Sequence, residues 1–197
     1  MLSYSKSRLA VKNIIKLISV MFIAVILFAG CNKSNNPVDP NGENNGKTPP
    51  EIKQPVAMRV KTIAVYQFPE NKPDGSKWDF DPIFPINARP DIFVTMNLDG
   101  STTNFFRSKT EGQADYQYSY YFRDAANPND GTLPHDCSMT SIYKITLSDD
   151  DGIWGADYMG AVYFNPGSVY ENDNAETFSK SYTYGTVTIG IQGDWIY

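Results

Sequence analysis

The chain has 197 residues, 41% of them hydrophobic, and carries 17 basic against 22 acidic residues for a net charge of −5. That balance argues against nucleic acid as a partner and against docking to anionic lipid by charge alone, since both require a basic face. Two cysteines and a single histidine, with no zinc-ligand spacing, no phosphate loop and no G-x-S-x-G, nominate neither a zinc centre nor an enzyme.

The first element is a leader. "MLSYSKSRLAVKNIIK" holds Lys6, Arg8, Lys12 and Lys16 and no acid, and "LISVMFIAVILFAG" then runs apolar up to Cys31. A basic start, an apolar run too short to span comfortably and small residues before a cut describe a secretory signal. "LFAGC" resembles a bacterial lipobox, with Ala29 and Gly30 ahead of Cys31 and Phe28 where that pattern more often has Leu. The resemblance implies a lipoprotein signal peptide over 1–30 and lipid on Cys31. The competing reading, an uncleaved signal anchor, leaves the position of that cysteine a coincidence.

Acyl chains contribute roughly 0.8 kcal/mol per buried methylene, so two or three of them anchor a chain without spanning the membrane. Lipidation would also remove Cys31 from thiol chemistry and leave Cys137 with no intramolecular disulfide partner. Loss of the four leader cations leaves thirteen basic against twenty-two acidic residues, a charge of −9. The expected location is the bacterial cell envelope, lipid-anchored, and Asn32 after the cysteine is compatible with the outer membrane.

Residues 31–55 follow as the lipidated cysteine and a linker. "NKSNNPVDPNGENNGKTPPEIKQP" is Asn, Pro and Gly with almost nothing to bury, the composition of a solvated, disordered tether. Residues 56–197 are long enough for one domain with a single core.

Period two runs through that domain. "DIFVTMNL" sets Ile92, Val94, Met96 and Leu98 against Phe93, Thr95 and Asn97; "YQYSYYF" alternates Tyr116, Tyr118, Tyr120 and Phe122. "IYKITL" and "GTVTIGIQ" behave alike, and 58–68, 102–107, 159–165 and 177–183 are further strand candidates. About eight short strands separated by Gly, Pro, Asn and Asp, with no amphipathic helix, predict an all-β, eight-stranded antiparallel sandwich.

One stretch is chemically unusual. "LSDDDGIWGADYMG" places Asp149, Asp150, Asp151 and Asp157 within nine positions between apolar segments. At ~5 Å and an effective dielectric of ~20, each carboxylate pair repels by roughly 3 kcal/mol, so the charges either splay into water or share a cation. An EF-hand does not fit: counted from Asp149, its glycine falls on Trp154 and its terminal glutamate on Gly160.

Asp149-x-Asp151, a gap, then Asp157-Tyr158-Met159-Gly160 resembles the third calcium loop of the C2 domain family, in which a strand follows at once, here "MGAVYFN". That family's first calcium loop offers one Asp, a variable stretch, and an Asp beside Pro that leads into a strand. "DGSKWDFD" and "RPDIFVTM" stand in its place, with Asp91 as the second acid. Pro90 precedes Asp91 where the family usually has Pro following. Asp79 is the first choice for the other acid, with Asp81 and Asp74 as rivals, because this loop is unusually long.

The resemblance spans 56–197 and implies a C2-like β-sandwich, with the permuted strand order seen in part of that family. It also implies a calcium cup of Asp79, Asp91, Asp149, Asp151 and Asp157 at one end. Calcium takes six to eight hard oxygens, and alternate residues of an extended loop can present carboxylates to one side. Two Ca²⁺ would reduce the five negative charges to one, and Asp150 would face away. Such cups in the family bind phospholipid headgroups through the metal while apolar tips enter the bilayer. Here the tips would be Ile153 and Trp154 in one loop and Ile83, Phe84 and Ile86 in the other, unless these side chains pack the loops together.

Two further features carry less. "HDC", His135 to Cys137, offers a metal ligand or a nucleophile–base pair, although adjacent strand residues face opposite sides. The Tyr-rich strand offers a glycan platform. It supports the competing function, a carbohydrate- or protein-binding lipoprotein whose acidic loop is purely structural. Partners expected from these readings are the membrane through the N-terminal lipid and phospholipid headgroups, a glycan or another envelope protein.

Overall fold

Alternation of buried and exposed side chains decides most of the architecture. The computed structural model describes residues 51–79, 88–171 and 174–197. The leader, Cys31 and the linker through residue 50 lie outside them, as do Asp81, Ile83, Phe84 and Ile86. Nine strands occur among the described residues: β1 (Ala57–Gln67), β2 (Ile92–Leu98), β3 (Asn104–Arg107), β4 (Tyr120–Phe122), β5 (His135–Ser138), β6 (Tyr143–Asp150), β7 (Ala156–Phe164), β8 (Thr177–Tyr184) and β9 (Val187–Ile196). One helical turn, α1 (Pro166–Val169), is capped by the Asn165 side chain, which accepts from the Ser168 N–H at 3.1 Å.

All pairings are antiparallel. One sheet runs β4-β1-β9-β8 and the other β3-β2-β6-β7. β4 pairs with residues 63–65 of β1 and β5 with residues 57–60, so the two short strands share one edge of β1 end to end. Each sheet is therefore four positions wide, as an eight-stranded sandwich requires, with one edge position divided in two. Met58, Val60, Val94, Ile145, Leu147 and Ile191 are among the fully buried side chains between the sheets. Burial of each such side chain contributes roughly 1.5–3 kcal/mol. Where β7 passes β9 the sheets come so close that a Cβ on Gly160 would lie 2.6 Å from Val187 Cγ2.

One strand is added to those the periodicity marks, and one expectation is corrected. "HDC" is strand β5, which the periodicity does not announce. Conversely, Tyr116 and Tyr118 do not belong to β4. Asp115 closes a turn there, its carbonyl accepting from the Tyr118 N–H at 3.0 Å and its carboxylate from the Gln117 N–H at 3.0 Å. These local bonds compete with a ladder, and the strand begins only at Tyr120.

The sandwich has two dissimilar ends. At one, Val56 N–H donates to the Ile196 carbonyl at 2.6 Å and the Tyr170 hydroxyl to the Lys53 carbonyl at 3.1 Å, which fixes where the chain enters. At the other lie the segment after β1, the start of β2 and the β6–β7 hairpin, and these bring the aspartates together.

Candidate metal centre

β6 sets the centre. Its inward series Tyr143, Ile145, Leu147 continues with period two to Asp149, so the strand carries a carboxylate into the last buried position at the end of the core. Asp149 is 0% exposed. Its Oδ1 accepts from the Asp91 N–H at 2.8 Å, while Oδ2 is buried with no hydrogen-bond partner. An unpaired buried oxygen is costly and rare, and calls for a partner.

Asp151, two residues on, and Asp79, from the segment after β1, bring carboxylate oxygens to the same place; oxygens of Asp79, Asp149 and Asp151 all lie within 4.8 Å of one another. Calcium–oxygen bonds run ~2.3–2.6 Å, so ligands on opposite sides of one ion stand roughly 5 Å apart. The spacing and the all-oxygen donor set fit a calcium ion. Burial first, then the charges of Asp79 and Asp151, pushes Asp149 up to about 7, against the Asp91 N–H. Asp79 is also raised, by burial and then by Asp91 and Asp151.

The other expected residues take distinct places. Asp91 uses Oδ1 to accept from the Gln113 N–H at 2.6 Å, and its carbonyl accepts from the Asp150 N–H at 2.8 Å, tying β2 to the end of β6. Asp157 faces Asp149 across the β6–β7 ladder, yet its carboxylate is ion-paired with Lys72. Asp74, a rival for the first acid, is consumed locally by the Ser76 N–H at 2.9 Å and hydroxyl at 2.7 Å, which hold its carboxyl below the usual range. Asp150 points away from the cluster, as expected. It is not idle there, because Oδ2 accepts from the Thr110 hydroxyl at 2.8 Å and lies 3.5 Å from Arg107.

The hairpin tip is a single turn of 3-10 helix, Gly152–Trp154. Gly152 at φ 61° and Gly155 at φ 110° let the chain reverse on either side of Ile153 and Trp154. Those two side chains are 92% and 87% exposed, so they do not pack the described loops together. Lys72 and Trp78 join this end without any sequence signal that places them there. The turn signal Lys72-Pro73-Asp74-Gly75 is legible, but nothing local says which carboxylate the lysine meets.

Elsewhere, His135 stacks on Phe105 with centroids 4.6 Å apart, Asp136 forms a two-bond ion pair with Arg59, and Cys137 is fully buried. The ring stack and the buried thiol are packing roles, and the ion pair lies at the surface. Burial pushes the Cys137 thiol up to about 12.

No protein-family profile and no curated protein matches the chain. Similar solved structures include a C2 domain (TM-score 0.38, 10% identity, covering 69% of this chain and 94% of that one). Another is a C2 domain of plant Extended Synaptotagmin 1 (0.35, 10%, 74% and 100%). Human GIVD cytosolic phospholipase A2, in a complex with a fluorophosphonate inhibitor and terbium chloride, is a third (0.39, 11%, 71% and 18%). The domain is an antiparallel β-sandwich whose solved neighbours include C2 domains. The chain spans less than a fifth of the phospholipase chain.

Proposed function

We propose that this is a calcium-binding, C2-like domain that docks on phospholipid surfaces through the β6–β7 tip. Asp79, Asp149 and Asp151 hold the ion, Asp91 positions Asp149, and Ile153 and Trp154 are the apolar contacts. One observation carries this reading: the wholly buried Asp149, whose Oδ2 has no hydrogen-bond partner, brings a carboxylate oxygen within 4.8 Å of oxygens of Asp79 and Asp151. A solvated acidic turn has no reason to bury its first carboxylate. Trp at the tip suits an interface because its ring is apolar and its N–H polar.

Calorimetric titration with calcium tests the site. Metal that binds only the folded state at ~100 times its dissociation constant adds roughly 2.7 kcal/mol, a rise of several degrees in melting temperature. No heat and no rise up to millimolar calcium would defeat the proposal. Docking is tested by co-sedimentation with phosphatidylserine vesicles in calcium and in chelator; the double change Ile153→Ser and Trp154→Ala should abolish sedimentation and leave calcium binding intact.

The same proposal places the domain in the bacterial cell envelope on lipid attached at Cys31, supported by the leader and "LFAGC" alone. Metabolic labelling with a fatty acid should mark the wild type and not Cys31→Ser.

A further inference from the structure

We propose that Lys72 supplies, as a tethered ammonium, the cation that a second divalent ion would provide at this end of the sandwich, so that the domain takes one calcium rather than two. This inference rests on the metal reading above and restricts it.

Asp149 and Asp157 are direct partners across the β6–β7 ladder, so their side chains leave on the same face, an arrangement that repels when both are charged. Only Asp149 belongs to the trio around one point. Asp157 is turned to Lys72, whose ammonium also feels the charges of Asp151 and Asp149.

The lysine is placed by structure on three sides. Its backbone closes a turn, its N–H donating to the Ser76 carbonyl at 2.8 Å and its carbonyl accepting from Gly75 at 2.9 Å. Asp74 locks that turn through Ser76. The ammonium stands 5.8 Å from the centre of the Trp78 ring, near enough for a cation–π contact. That ring is itself buried and fixed by its Nε1–H on the Pro69 carbonyl at 2.8 Å. The Lys72 side chain is only 26% exposed.

A dication beside Asp157 would meet this ammonium at close range and find its carboxylate ligand already engaged. Lys72 thus neutralises Asp157 without metal, while calcium neutralises the trio on demand.

Equilibrium dialysis of the full chain against radioactive calcium counts ions at saturation. Wild type should hold one per chain, Lys72→Arg one, and Lys72→Met two. Asp157→Asn in the Lys72→Met background should return the count to one. Two ions in the wild type, or a count unchanged in Lys72→Met, would overturn the role of Lys72 and leave the calcium site standing. No bound ion in wild type would remove the metal reading and this inference with it. Should Lys72→Met not fold, Lys72→Gln must meet the same requirement.

Discussion

Replacing Asp149 with Asn should make the metal-free protein more stable, although it removes a buried, hydrogen-bonded side chain. The Asn carbonyl oxygen can keep the bond from the Asp91 N–H. Its amide would occupy the place of the unpartnered Oδ2 and put a neutral donor in a cluster that otherwise holds only carboxylates, those of Asp79 and Asp151 among them. The magnitude follows from the carboxyl's displacement, from an ordinary value of 3.8 to about 7, caused first by burial. At about 1.36 kcal/mol per pH unit, that displacement is worth roughly 4 kcal/mol at most, felt when the folded state must hold the group charged.

The sign is fixed by the direction. A carboxyl whose folded value is raised favours folding most below about pH 4, and that contribution is lost as pH rises through about 7. Asp79, Asp91, Asp151, Asp157 and Lys72 face this group and remain in both proteins, so the difference between variant and wild type isolates Asp149. At 2–4 °C per kcal/mol, the variant should melt about 10 °C above wild type at pH 8 in chelator, with a smaller gain at pH 5. Calcium should no longer raise its melting temperature. Circular-dichroism melts at both pH values, with calcium and with chelator, measure all of this. A variant less stable than wild type at pH 8 in chelator, or one that keeps the calcium-dependent rise, would refute the reasoning.

Three further outcomes are expected. Gly160→Ala should destabilise by about 1–3 kcal/mol in denaturant titrations, because its Cβ collides with Val187 where the sheets touch. Tyr118→Ala, at an exposed turn position, should leave the melting temperature unchanged, whereas Phe122→Ala in β4 should cost about 3–5 kcal/mol; retention on polysaccharide columns that vanishes with Tyr118→Ala alone would revive the glycan reading. Cys137 should ignore thiol reagents at neutral pH until denaturant unfolds the chain, since its thiol is fully buried and its pKa lies at about 12.

What could be read in the sequence was whatever period two controls. The inward series of β6 ends on Asp149 by counting alone, and the Asp149–Asp151–Asp157 spacing located the hairpin that gathers the carboxylates. The division of labour among them was not legible. Asp157 lies opposite Asp149 in register, but its partner comes from Lys72, eighty-five positions earlier, and only the meeting of two loops at one end decides that. β5 escaped because His135 and Cys137 inside, with Asp136 and Ser138 outside, give little apolar contrast. Tyr116 and Tyr118 misled for the opposite reason, their alternation being real while the Asp115 turn overrides it.

The placement of the two ends gives the molecule a direction. β1 has eleven residues, so at ~3.3 Å each the entry point near Val56 lies roughly 35 Å of strand away from the segment that carries Lys72 and Asp79. Residues 51–55 therefore join the sandwich at the pole remote from the aspartates. Chain entry and the carboxylate cluster with its exposed Trp154 thus occupy separate poles of the sandwich, and neither crowds the other.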